Sequence, residues 1–318
     1  MAGVFFVLTV LSYIEMTVAI PEAEGSPSFA RRGFNELVAF IAGWVTLLSY
    51  TVTIAISAYA AVGYLGVLVP SVQGDVPHLV VTLGLIGVLM GFNALGSHEP
   101  VAVSVALAGL DVLVKVLLVV VGAIFLLNLP LLIDQVHWGV APSADGFILG
   151  VALGMVAFTG VATVTNMAHE AKDPSSKVPR AYGLLIAVVM VLFIGISVIG
   201  LSALPVYQTA TALPEFDVPA GGWTTDLGTR HIEDPVAGVA QQLPSPYGSV
   251  LGPLVGILAF LALAMAANGG FHGAARRSHR MALYQQVPAI FSRVHERFRS
   301  PYFSVALFGV VAGLMVLP

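Results

Sequence analysis

Cysteine is absent from this 318-residue chain, which excludes a disulfide framework, thiol redox chemistry and a metal site of zinc-finger type. Charge is scarce. Asp, Glu, Lys and Arg make up 9% of the residues, against roughly 25% in soluble domains. Apolar residues fill 58%, which places the chain in the polytopic membrane class. A basic n-region is missing ahead of the first apolar run, so no cleavable signal peptide is evident. His169 and Glu170 adjoin but form no HExxH motif, and neither a metal site nor a cofactor is expected. The net charge of −4 says little about partners, whereas the positions of the thirteen basic residues say more.

Apolar runs of about 20 residues are the length of a membrane-crossing helix. Eight are present, at 2–20, 37–65, 78–95, 101–127, 146–168, 182–204, 250–271 and 302–317, in a single transmembrane domain covering 1–318. If they alternate, the loops holding Arg31 and Arg32, then Lys172, Lys177 and Arg180, then Arg276, Arg277, Arg280, Arg293, Arg297 and Arg299 share one side. The opposite loops hold only Arg230, and Lys115 lies inside a span. Basic loops stay in the cytoplasm, so the loops with Arg31, Lys172 and Arg276 are expected there and Met1 outside. A first helix that runs inward without a signal sequence, and a last span ending with the chain, are what is expected of a fragment or of a gene model begun too late. Such a fragment is expected to insert but not to transport.

The stretch 146–179 organises the rest. Its first half is apolar enough for hydrocarbon, and near its middle comes Phe158-Thr159-Gly160-Val161. Its end, with His169, Glu170, Lys172, Asp173, Pro174, Lys177 and Pro179, belongs in water. Glycine inside a helix costs about 1 kcal/mol against alanine. Backbone groups freed by a mid-membrane break are tolerated only where they line a cavity, and transporters bind substrate at such breaks. The competing reading is that Gly160 only lets another helix approach.

Lys115 sits well inside its span, where a lysine costs about 2.5–3.5 kcal/mol on insertion scales. Asp111 lies four residues earlier on the same face. One reading is an intrahelical ion pair that lowers the insertion cost. The other is a proton-coupling site, since burial lets a lysine switch its charge. Glu15 is read as structural, snorkelling to water. Asn268 is read as an interhelix hydrogen-bonder. Arg276, Arg277 and Arg280 serve topology, with lipid headgroups in reach.

AFTGVATVTNMAHEAKDPSSKVPRA resembles the sixth helix of the amino acid–polyamine–organocation permeases, where a break is followed by a tail here given by Ala168, Glu170, Pro174 and Pro179. SYIEMTVAIPEAEGSPSFARRGFNELVAFIAGW is similar to that family's second helix, loop and third helix. ANGGFHGAARRSHRMALYQQVPAIFSRVHERFRSP is similar to its eighth helix and the following cytoplasmic segment. The resemblance implies an all-α, polytopic, leucine-transporter-type inverted-repeat fold lacking its first and last helices, with the eight spans matching helices two to nine. It implies substrate binding at Phe158, Thr159, Gly160 and Val161, and proton coupling at Lys115 with Asp111 beside it. The lysine falls where sodium-independent relatives carry one in place of a sodium ion. Val161 and Ala162 depart from relatives that carry an acid or aromatic there, which argues against a cationic amino acid.

The function implied is secondary active transport of amino acids or related amines across the cytoplasmic membrane, proton-coupled or exchanging, by alternating access around the break. The expected partners are that substrate, protons and the lipid bilayer, with no nucleic acid; the oligomeric state stays open. Two other classes compete. One is an intramembrane enzyme, for which Asp111 and Lys115 are the only paired groups at depth and which no signature supports. The other is a truncated, non-transporting membrane protein.

Overall fold

The computed structural model describes residues 2–20, 25–96, 101–135, 144–156, 161, 165, 173–214, 218–298 and 300–318. They are helical almost throughout. In chain order the helices are α1 (Ala2–Ala19), α2 (Ser26–Gly33), α3 (Glu36–Gly66), α4 (Asp75–Ala94), α5 (Val101–Phe125), α6 (Leu129–Asp134) and α7 (Ala144–Val156). They continue as α8 (Pro174–Ala203), α9 (Asp226–Thr229), α10 (Pro235–Gln241), α11 (Tyr247–Leu283) and α12 (Tyr302–Val316). The strands among the described residues are β1 (Tyr207–Gln208) and β2 (Trp223–Thr224), paired antiparallel in the segment between α8 and α11.

Helices α1, α3, α4, α5, α8 and α11 are long and apolar enough to cross a membrane, and α12 is a shorter apolar helix. Their outward faces carry large apolar side chains such as Leu37, Val80, Leu113 and Ile194, each more than half exposed. In hydrocarbon such exposure is favourable, and every backbone group must be satisfied within its own helix. The chain is an all-α, polytopic membrane protein.

Two helices run further than the apolar runs do. Helix α8 starts at Pro174, and the Lys177 N–H bonds to the Asp173 carbonyl at 3.0 Å. Proline is pre-set for a first helical position, where it has no N–H to leave unpaired. Helix α11 continues twelve residues past Phe271. The extension, HGAARRSHRMAL, is rich in Ala, Arg, Met and Leu, all strong helix formers. Its Arg280 sits in the last turn, where the helix dipole favours a cation.

Close contacts group the chain into two units. The first holds Met1–Ser49, Trp138–Val191 and Gly273–Arg293; the second holds Tyr50–His137, Leu192–His272 and Val294–Pro318. Helices α3, α8 and α11 contribute to both.

In the first unit α1 is the central element. It lies along α7 so closely that a Cβ on Gly154 would stand 2.7 Å from that of Ala2. Small residues let membrane helices approach in this way. Its Phe6 and Val10 pack with Val161 and with Val178 and Tyr182 of α8. A polar knot sits at the α2–α3 turn. Arg31 Nε donates to Glu36 at 2.8 Å, its guanidinium lies 4.2 Å over the Tyr284 ring, and Gln286 Nε2 donates to Glu36 at 2.6 Å.

In the second unit the core joins α3, α5, α10 and α11 through Tyr64, Leu118, Ala237, Ala240, Val255 and their neighbours. Helices α5 and α8 touch at two glycines. A Cβ on Gly122 would lie 2.7 Å from Ile199, and one on Gly195 would lie 2.7 Å from Val119. Helix α12 runs along α4, with Gly309 against Met90. The segment between α8 and α11 is pinned by its polar groups. There the Tyr207 hydroxyl donates to Asp226 at 3.0 Å, and that bond raises the phenol above its ordinary range.

Candidate functional site

Of the four residues expected to bind substrate, Phe158, Thr159 and Gly160 lie outside the described residues; Val161 is described, and it is helical and buried. Its side chain packs on Phe6, Val10, Val178 and Tyr182. Its carbonyl is the more informative group. The Tyr182 hydroxyl donates to it at 3.0 Å. The same hydroxyl lies 2.5 Å from Thr165 Oγ1, which lies 3.2 Å from Thr17 Oγ1.

One carbonyl orders this chain. A hydroxyl has a single proton. Tyr182 gives its own to Val161, so it accepts from Thr165. Thr165 has then used its proton and accepts from Thr17. The direction runs Thr17 to Thr165 to Tyr182 to the Val161 carbonyl. Thr17, Thr165 and Tyr182 are fully buried. Buried hydroxyls in series polarise one another, and the series ends on main chain directly after Gly160. A carbonyl has two lone pairs, so this one can hold the Tyr182 hydroxyl beside a helical N–H.

The sequence reading passed over Thr17, Thr165 and Tyr182. The available signal was their chemistry: each is a hydroxyl inside an apolar run. Periodicity says nothing about which of them meet, because α1 and the 161–165 stretch are separated by about half the chain; Thr17 and Thr165 are 148 residues apart.

Lys115 and Asp111 come together. The ammonium donates to Asp111 Oδ2 at 2.6 Å, with side chains 23% and 13% exposed. Val114 and Leu118, buried in the core of the second unit, lie on the same stripe of α5. The stripe 111, 114, 115, 118 follows the i, i+3, i+4, i+7 spacing of one helix face. The pair therefore faces protein, where its charges offset each other.

Asn268 is an interhelix hydrogen-bonder, as expected from its surroundings: Asn93 Nδ2 of α4 donates to its Oδ1 at 2.6 Å. Glu15 is exposed near the end of α1. Lys172, His169 and Glu170 lie outside the described residues. Among the described residues no group of three or more His, Asp or Glu side chains could hold a metal ion.

Several known proteins of similar sequence are named as transport proteins. The chain is 24% identical over 327 residues to the branched-chain amino acid permease of Bacillus subtilis (strain 168), covering 96% of this chain and 63% of that one. It is 25% identical over 323 residues to the L-asparagine permease of Salmonella typhimurium, covering 98% and 58%. It is 26% identical over 332 residues to a low-affinity putrescine importer of Escherichia coli (strain K12), covering 99% and 65%. The chain thus spans less than two thirds of the length of each of these relatives. The family is one of permeases, not of enzymes. A family model described as amino acid permease matches residues 1–317, and the chain belongs to that family.

Proposed function

We propose that the protein carrying this chain is a secondary active transporter of amino acids or related amines, working by alternating access around a helix break at Phe158–Val161. The observation that carries this reading is the amino acid permease match along residues 1–317, with the Thr159-Gly160 step inside an apolar run. The Tyr182 hydroxyl on the Val161 carbonyl ties the main chain directly after that step to α8, and a break there would leave carbonyls before it and N–H groups after it to line a cavity. Half-helix N-termini attract a carboxylate, which suits an amino acid. The names of the relatives, which run from branched-chain amino acids to asparagine and putrescine, support an amino acid or amine substrate.

The topology that goes with this reading has eight spans in one transmembrane domain of the leucine-transporter type. The loops with Arg31, Lys172 and Arg276 face the cytoplasm, and the segment with Arg230 faces outside. The eleven-to-one division of loop basic residues supports that orientation.

Coupling is assigned to Lys115. Protonated, its ammonium stands where a sodium ion would and holds the moving helices to the scaffold; deprotonated, it releases them. A specific observation favours a second reading. The 2.6 Å contact with Asp111 makes a complete ion pair, which lowers the insertion cost with no further role. Uptake by the protein carrying this chain separates the two. With Lys115→Ala, measured across pH and with sodium replaced by choline, the coupling reading expects uptake that has lost its pH dependence. Normal pH-dependent uptake in that variant makes Lys115 half of a structural pair. Wild-type uptake that requires sodium ends the ammonium-for-sodium reading.

A further inference from the structure

A second titratable pair lies in the second unit, away from Lys115. His78, near the start of α4, has a side chain only 3% exposed. Its Nε2 is 3.0 Å from the Tyr59 carbonyl of α3, and its Nδ1 is 3.1 Å from Glu233 Oε2. Both neighbours are oxygen acceptors in their ordinary states. A carbonyl can only accept, so Nε2 carries a hydrogen. A neutral imidazole then has a bare Nδ1, which would face a carboxylate lone pair to lone pair. The contact is satisfied only by one more proton, either on Nδ1 or on the carboxyl group. The Tyr59 ring lies 4.3 Å from the imidazole at 29°, a stacking that favours the cation.

The same place anchors the segment before α10. A Cβ on Gly63 would stand 2.7 Å from the Glu233 carbonyl oxygen, so the two backbones are in direct contact. The Val236 N–H donates to the Tyr64 hydroxyl at 3.4 Å. A pocket of about 190 Å³ lined by Tyr59, Ala60, Ile232 and Glu233 opens beside the pair. Glu233 is one-third exposed there, which gives water a route to the proton.

We propose that His78 and Glu233 form a proton-binding site, and that the bound proton holds the segment around Glu233 down on α3 and α4. A proton from water adds to Nδ1 or to the carboxylate, and no other bond changes. The titratable groups around the pair are few. Helix α3 contributes Tyr59, which lies in the field of both Glu233 and Asp75. Helix α4 contributes Asp75. The segment itself contributes His231 and Asp234, which pair with each other at 3.2 Å, and Arg230, which points into solvent 4.0 Å from Asp226. Helix α12, packed along α4, carries no ionisable side chain except Tyr302. Acid fills the site and holds the contact; alkali empties it, and the carboxylate then faces a bare ring nitrogen. In the orientation proposed above the site faces outside, although proton binding needs neither that orientation nor transport.

The test uses spin labels at Val76→Cys and Arg230→Cys in the full chain in lipid nanodiscs. Both positions are exposed, and the chain has no other cysteine. Distances are read in a series from acid to alkaline pH. The expected result is one short distance at the acid end and a longer population taking more than half of the signal at the alkaline end. Glu233→Gln keeps the shape, and its amide donates to a bare Nδ1 without a shared proton. That variant is expected to stay short at every pH. His78→Phe is expected to be long at every pH. A wild-type distance that ignores pH overturns the proposal, and so does a Glu233→Gln variant that opens as the wild type does. Neither outcome bears on whether the protein transports amino acids. If His78→Phe does not fold, the Glu233→Gln comparison decides alone.

Discussion

Tyr182 donates one hydroxyl proton to a carbonyl on another stretch of chain, and the size of that bond reports on the backbone it reaches. Interhelix hydrogen bonds in membranes average about 0.6 kcal/mol, because the partners find other bonds when it is lost. Stranding a buried acceptor costs more, about 1–3 kcal/mol. If the Val161 carbonyl still has its helical N–H partner, Tyr182→Phe falls in the first range. A break at Gly160 frees carbonyls before it and N–H groups after it, so the Val161 carbonyl keeps that partner. We expect the first range, measured as a loss of unfolding free energy in detergent micelles. A loss above about 1 kcal/mol would mean that the Val161 carbonyl has no helical partner. The Lys115–Asp111 pair gives a matching test of charge. Lys115→Met alone leaves a carboxylate on a protein-facing stripe and is expected to cost about 3–5 kcal/mol. Adding Asp111→Leu is expected to recover most of that loss. A single variant as stable as the double one would mean that the pair is solvated and not held by the protein.

At the scale of elements the glycines mark where backbones meet. Gly63 sits in the interior of α3, where alanine would gain about 1 kcal/mol of helix propensity. Its Cβ, however, would meet the Glu233 carbonyl oxygen at 2.7 Å, and a backbone atom cannot swing aside. Overpacking of this kind costs about 1–3 kcal/mol. We therefore predict that Gly63→Ala lowers the thermal unfolding midpoint, against the propensity trend, and a raised midpoint would refute the close contact. The sequence marked the six described helices that are long and apolar enough to cross a membrane, because apolar run length is a strong signal and membrane backbone must be helical. It placed Asp111 and Lys115 on one face, because four-residue spacing is local. It identified Asn268 as a polar residue needing a partner but not Asn93 as that partner. It took His78 as no more than the edge of a span. Its pairing with Glu233 joins residues 155 apart, and no local pattern encodes such a meeting. The same limit hid the Thr17–Thr165–Tyr182 series.

At the scale of the whole molecule, family membership rests on a match along residues 1–317, and the motifs that suggested it are spread in order along the same length. The extra reach of α8 and α11 beyond their apolar runs was not legible. Hydropathy ends a span where charge begins, whereas Pro174 and the Ala- and Arg-rich tail of α11 go on forming helix in contact with water. The central claim is that substrate binds at the break beside Val161. The absence of cysteine allows a direct measurement. Phe158→Cys, Thr159→Cys and Gly160→Cys are introduced singly into the protein carrying this chain. Each is alkylated with a small thiol reagent, with and without an amino acid or amine that uptake has shown to be carried. The account predicts labelling at this stretch that the carried substrate suppresses and a non-substrate does not. Cysteines at 158–160 that stay unlabelled, or label equally with substrate present, would contradict it.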